Sequence, residues 1–171
     1  MNLTNKQSKY LFLPIRLISS LNEYLKIIER EDITYVAHGI KRNGVRTCFF
    51  SHNHWGNTFI SQRLYQDDPF TIMAEETKAP FIFWEEVDMN LKEKEIDLWR
   101  KDACNIHTGL TFSNHCYDFH EILALGTSRK LLDIKSLALN KGIHCYLSQL
   151  LSPIRYAHFA YRYKEQGDVS Q

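Results

Sequence analysis

Apolar residues recur at Leu17, Leu21, Tyr24, Leu25 and Ile28. That three-to-four spacing predicts an amphipathic helix from about Pro14 to the charged stretch Glu29 to Asp32. The pattern then changes. Ile33 to Ile40 and Val45 to Ser51 are β-branched and aromatic, and Arg42-Asn43-Gly44 between them carries Asn-Gly turn chemistry, so the two runs predict a hairpin. Trp55 to Tyr65 returns to helical spacing, with Trp55, Phe59 and either Gln62 or Arg63 on one side. Asp68-Pro69 reads as an N-cap followed by proline at the first helical position, launching a short helix to about Thr77 that ends before Pro80.

Phe81 to Trp84 is a compact apolar run, consistent with a short strand. Asn90 and Glu93 have capping-box spacing at the head of a helix to about Cys104, whose buried face is expected at Ile96, Trp99 and Ala103. Leu110 to Asn114 and Phe119 to Thr127 flank the polar His115 to Asp118 and predict a second hairpin. Helical periodicity dominates from Leu131 to about Tyr163, with Gly142 and Pro153 favouring a break or kink. The element order predicts an α+β fold, an α/β/α sandwich whose central antiparallel sheet of about five strands is covered by helices on both faces. At 171 residues the chain has the size of one domain, 1–171, with a polar tail at about 164–171. No internal repeat or low-complexity segment interrupts it.

Composition narrows the function classes. Lys and Arg number 21 against 20 Asp and Glu, so no broad positive field draws the chain to phosphate backbones, and direct nucleic-acid binding is not expected. The apolar runs are too short to cross a bilayer, and the start lacks a signal-peptide pattern, so a cytoplasmic location without membrane contact is expected. Cys48, Cys104, Cys116 and Cys145 are widely spaced and suggest no disulfide framework. Aromatic residues make up 13%, which suits a thick core or an apolar pocket.

Trp55, Phe59, Asp68-Pro69, Pro80 and Trp84 follow one another in a telling order. The set resembles the autoinducer-binding domain of LuxR-type quorum-sensing regulators, which have a Trp thirteen positions before an Asp-Pro pair, as Trp55 stands before Asp68. The family's later Trp is matched by Trp84 with about one residue inserted. Its Ile-x-x-Gly-x-Thr segment is matched by Ile106-His107-Thr108-Gly109-Leu110-Thr111. The resemblance implies binding of an N-acyl homoserine lactone or related amphiphilic signal, with no enzymatic activity and no cofactor. It also implies a homodimer, or a heterodimer with a LuxR-type regulator. Such a ligand brings one amide N–H, its carbonyl groups and an apolar tail out of water, and each polar group needs a partner. By the resemblance Asp68 accepts the amide N–H, Trp55 donates to the ring carbonyl and Trp84 walls the lactone. Tyr35, Phe49, Phe59, Ile72, Leu98 and Leu123 are tail candidates by position.

Departures from the family bear on the ligand. Ser51 stands where the family usually has a Tyr, Phe59 replaces a second Tyr, and Ala124, or by a slip Thr127, stands near a usual Ser or Thr. Each lost bond to a buried carbonyl costs about 1–3 kcal/mol unless water replaces it. The regulators continue into a helix-turn-helix, whereas this chain stops at Gln171. A second reading is therefore an interaction protein that pairs with full-length regulators and inactivates them, since a mixed dimer has one reading head where operators require two.

Plainer accounts exist for each residue alone. Asp68-Pro69 is a helix start, each Trp suits a core, and Gly109 serves backbone geometry or close packing. His52, His54, His115, Cys116 and His120 match no strong metal spacing, so no metal site is expected. Ser51, His52 and Asp68, or His144 and Cys145, are weak nucleophile-and-base candidates, because sequence neighbours usually point apart.

Overall fold

The computed structural model describes residues 9–12, 26, 32–129, 155 and 158. In chain order the elements are β1 (Lys9–Phe12), β2 (Tyr35–Arg42), β3 (Val45–Phe50) and α1 (Asn53–Ser61), then a 3-10 turn (Leu64–Gln66) and α2 (Pro69–Glu76). There follow β4 (Phe81–Phe83), a second 3-10 turn (Trp84–Glu86), α3 (Leu91–Cys104), β5 (Thr108–His115) and β6 (His120–Thr127). The helix expected from Pro14 lies outside the described residues apart from Lys26, which is helical and exposed. The C-terminal helix and the polar tail also lie outside, apart from the helical residues Arg155 and His158.

Asn43 and Gly44 both adopt left-handed backbone, φ 51° and 76°, the conformation a tight hairpin turn demands and glycine supplies at no steric cost. The turn places Arg42 opposite Val45 and fixes the register up to Ala37 opposite Phe50. The strands form a six-stranded sheet in the order β1-β3-β2-β6-β5-β4. The expected five antiparallel strands are β2 to β6, and β1, which hydrophobic spacing did not reveal, joins β3 in parallel at one edge.

Strand alternation divides the sheet into two faces. Tyr35, Ala37, Cys48 and Phe50 lie on one, packed with Trp55 and Phe59 of α1, Phe70 and Ala74 of α2, and Ile96 and Cys104 of α3. All three described helices thus cover the same face. The other face buries Val36, Ile40, Phe49, Leu110, Leu123 and Leu125, and His158 and Arg155 meet it from the far side.

Local chemistry sets the helix ends. Asp68 caps α2 by accepting the Thr71 N–H at 2.9 Å, with Pro69 in the first turn. Asn90 and Glu93 form the reciprocal capping box of α3, at 3.0 and 2.7 Å. The expected buried face of α3 needs correction. The helix buries Ile96, Asp97, Arg100 and Cys104, whereas Trp99 is 48% exposed and Ala103 is exposed. Both faces contain Ile96. The polar one wins because the Asp68 carboxylate waits on that side for a cation.

On the far face a buried polar chain ties β2, β3 and β6 to the C-terminal residues. Glu121 is fully buried and accepts from His38 Nε2 at 2.8 Å and from Arg155 Nε at 2.8 Å, with Arg155 Nη2 on its other oxygen. Because Glu121 is the acceptor, neutral His38 carries its proton on Nε2, which leaves His38 Nδ1 to accept from His158 Nε2 at 2.8 Å. His158 Nδ1 in turn accepts from the Thr47 hydroxyl at 2.6 Å. Every member of the chain is satisfied in one consistent tautomer, the condition under which a buried polar network is tolerable.

This network predicts acid sensitivity. Burial lowers the His38 imidazole against the opposing pull of Glu121. Burial would raise Glu121, but its bonds to His38 and Arg155 outweigh that and hold it at about 2. Both folded values lie below their unfolded ones, so the unfolded chain binds more protons and stability is lost on acidification. The loss begins below about pH 6.5 for His38 and, for Glu121, runs from about 4.5 down towards 2. Urea midpoints should fall from pH 7 to pH 3, and Glu121→Gln, less stable at pH 7, should lose much less than the wild type below about pH 4.5. Equal losses in the two proteins would contradict the assignment.

Candidate functional site

Between the helix-covered face of the sheet and α1, α2 and α3 lies a cavity of about 60 Å³. That is room for a few water molecules, far below the few hundred Å³ of a typical ligand pocket. Its polar end carries Asp68, Thr71, Arg100 and Thr111, its middle is walled by Ala37, Cys48, Phe50, Phe59, Ile122 and Ala124, and Arg46 and Gly39 line the other end.

Sequence pattern explains the polar end. Trp84 follows β4 directly, and its indole N–H donates to Thr111 Oγ1 on β5 at 2.9 Å. Gly109 on the same strand admits the ring, since a Cβ there would lie 2.6 Å from two Trp84 ring carbons and from the Leu125 carbonyl oxygen. Trp84 stacks on Phe70 of α2, ring centres 4.6 Å apart and 9° from parallel, and meets Tyr35 edge-on at 6.3 Å. Trp55 and Phe59 of α1 pack side by side at 5.8 Å.

Arg100 of α3 occupies the space these rings enclose. Its guanidinium carbon lies 5.6, 4.9 and 5.2 Å from the ring centres of Trp55, Phe70 and Trp84, within cation–π range of all three. Nη2 donates to Asp68 Oδ1, and Asp97 Oδ1 stands 3.8 Å from Nη1. The residue is 3% exposed. Burial alone would lower the guanidinium, but Asp68 outweighs it and the net shift is upward, so Arg100 remains a cation.

Asp68 thereby accepts on both oxygens. Oδ2 accepts the Thr71 N–H at 2.9 Å and the Thr71 hydroxyl at 2.6 Å, and Oδ1 takes Arg100. The Trp55 indole N–H points towards the Tyr35 phenol without forming a well-aligned hydrogen bond and draws it down a little. Burial, the largest influence on that phenol, pushes it well above the usual range, so Tyr35 stays a neutral hydroxyl.

Of the residues read from the sequence, Tyr35, Phe59, Asp68, Trp84 and Ala124 line one cavity, and Trp55 packs behind Arg100. Ser51 and Ile72 do not line it. Ser51 Oγ is spent on the backbone, accepting the Val36 N–H at 2.9 Å, and Ile72 is half-buried on α2. Three tail candidates also fall elsewhere. Phe49 and Leu123 alternate onto the opposite face of the sheet, and Leu98 is 65% exposed.

Sequence neighbours Ser51 and His52 do meet, Oγ to Nδ1 at 3.0 Å, but Asp68 is committed to Thr71 and Arg100 and does not orient the imidazole. His144 and Cys145 lie outside the described residues. Among the described residues no three metal-ligating side chains gather. Nor, among them, is any helix long and apolar enough to cross a membrane. Arg100 and Arg46 are what the sequence reading missed. The signal for Arg100 was its four-residue spacing from Ile96 and Cys104, a buried stripe with a cation at its centre.

No protein-family model and no curated protein matches the sequence. Solved structures match the fold. Escherichia coli SdiA is similar with a TM-score of 0.61 and 11% identity over 84% of this chain, which spans 61% of SdiA. SdiA in complex with octanoyl-rac-glycerol is similar with a TM-score of 0.58 and 11% identity, over 83% of this chain and 60% of that one. The N-acylhomoserine lactone dependent LuxR family transcription factor CepR2 from Burkholderia cenocepacia gives 0.52 and 12%, over 86% of this chain and 96% of that one. At such identity the likeness is one of fold, and the resemblance read from the sequence is met at that level.

The Arg100–Asp68 pair predicts a large and mutual stability loss. Removing one partner leaves the other charge buried, so Arg100→Met and Asp68→Asn should each cost about 3–5 kcal/mol. The double variant should cost clearly less than their sum. Urea denaturation measures all four proteins, and single losses below about 1 kcal/mol would contradict a buried pair.

Proposed function

We propose that this chain is a sensory domain that binds a small amphiphilic signal, without catalysing a reaction on it. The observation that carries the reading is the cavity between sheet and helices, apolar in its middle and polar at both ends. Fold likeness to CepR2, described as N-acylhomoserine lactone dependent, and to SdiA in complex with octanoyl-rac-glycerol supports an acyl-chain ligand. The first ligand class to test is the N-acyl homoserine lactones. Such a ligand must open the cavity and compete with Arg100 for Asp68, while the Trp55 indole N–H, close to the Tyr35 phenol, offers a donor to its ring carbonyl. The domain acts in the cytoplasm, as a homodimer or with a LuxR-type regulator, and without contacting nucleic acid or membrane itself.

A second reading has its own observation. The polar end is already filled from within, so folding does not wait for a ligand, and α3 presents Leu91, Leu98 and Trp99 to solvent at 88%, 65% and 48% exposure. Both features suit an interaction protein that pairs with full-length regulators and reduces their reading heads to one.

The thermal midpoint with lactones of graded chain length separates the two readings. A ligand at a hundred times its Kd stabilises by about 2.7 kcal/mol, a rise of roughly 5–10 °C for a domain of this size. The sensory reading expects a dose-dependent rise that peaks at one chain length and shrinks in Trp55→Phe. A folded protein with no rise for any amphiphile, and a stable complex with a full-length regulator on sedimentation, would replace it with the second.

A further inference from the structure

Arg46 stands at the end of the cavity away from Asp68. It leaves β3 opposite Lys41 of β2 and folds back over Gly39, its Nη1 3.5 Å from where that residue would carry a Cβ. The bare backbone of Gly39 makes room for the guanidinium. The side chain is 3% exposed, and Nη2 donates to Glu75 Oε1 at 2.7 Å, with His120 Nδ1 at 3.5 Å. Nε and Nη1 are buried and have no hydrogen-bond partner. Nor, among the described residues, is the charge balanced locally, because Lys41 Nζ reaches the same Glu75 oxygen at 3.4 Å, and two cations share one carboxylate. A buried guanidinium with unmet N–H groups and surplus positive charge is complementary to an anionic acceptor.

The rest of the lining restricts what that acceptor is attached to. Asp68, the one carboxylate among the described residues that line the cavity, already accepts twice from Thr71 and once from Arg100, so an amide N–H would have to compete for it. Between the two arginines the walls are Ala37, Cys48, Phe50, Ile122 and Ala124. The stretch from Tyr35 to Gly39 covers four residues of strand, about 13 Å. An aliphatic chain fits such walls, and a second donor group does not.

We infer that the cavity takes an aliphatic carboxylate, its oxygens accepting from Arg46 and its chain running along these walls towards the Arg100–Asp68 plug. The inference rests on reading the cavity as a small-molecule site and names the ligand class. At an unliganded volume of about 60 Å³ the site admits the carboxylate and its first carbons, and a longer chain parts the walls.

Calorimetric binding to the full chain at pH 7.5, where the acids are ionised, tests it with butyrate, octanoate, decanoate, methyl decanoate and N-octanoyl homoserine lactone. The expected result is that decanoate binds at least tenfold more tightly than its methyl ester, and that Arg46→Met abolishes this preference while leaving the ester's affinity unchanged. Arg46→Lys preserves a charge for Glu75 but removes Nε and Nη1, and should also reduce the preference; it serves if Arg46→Met does not fold. Decanoate binding no better than its ester, or with a preference that survives both variants, overturns the inference. Lactone binding alone overturns it and leaves the sensory reading standing. No binding by any of the five to folded protein overturns both.

Discussion

The pairing of Arg100 with Asp68 inside a ring of aromatic side chains is the interaction on which the helix-covered half of the molecule depends. It joins α3 to the N-cap of α2, and through ring contacts it reaches Trp55 on α1 and Trp84 beside β5. One buried cation thereby ties α1, α2 and α3 together against the sheet. The cost of desolvating two charges is offset by the three bonds Asp68 accepts and by the ring faces around the guanidinium. Asp68 acts as helix cap and counter-ion at once, with one oxygen turned to Thr71 and the other to Arg100.

The same pair gives the cavity its character. An acceptor that would meet a donor from a bound molecule meets one from the chain itself, so the polar end of the site is closed from within. Asp97 Oδ1, outside the cavity lining, is an acceptor left unmet, whereas within the lining the unmet groups are guanidinium N–H groups of Arg46 and Arg100. A molecule complementary to those groups offers acceptors. The far face of the sheet holds a separate polar chain through His38, Glu121 and His158 that anchors C-terminal residues to β2, β3 and β6, so the two faces answer to different conditions. The titrating groups lie on the far face, whereas the cavity lies on the near one.

Turn and cap chemistry were legible in the sequence because they are local. Asn43-Gly44, Asp68-Pro69 and the Asn90–Glu93 box each specify a backbone conformation within four residues, and each stands where the pattern placed it. The ordered set Trp55, Asp68 and Trp84 carried the fold, although no family model matches the chain. The buried charges were not legible. Arg100 on α3 and Arg46 on β3 went unread, because sequence alone does not show that Asp68 and Glu75 lie across from them. Trp99 was drawn into the core for the converse reason, as an apolar residue at acceptable spacing. Arg100 at four-residue intervals from Ile96 and Cys104, and His38 between Val36 and Ile40, were the available signals. In each, a polar residue keeps step with an apolar face.

The side-chain NMR signals of Arg100 in the ligand-free protein, assigned by their loss in Arg100→Lys, report most directly on whether this arginine fills its own binding site. The account predicts slowly exchanging guanidinium protons, hindered in rotation by Asp68 and shifted upfield by the rings of Trp55, Phe70 and Trp84. Signals averaged and exchanging like those of a surface arginine would contradict it, and would leave Asp68 free for a ligand.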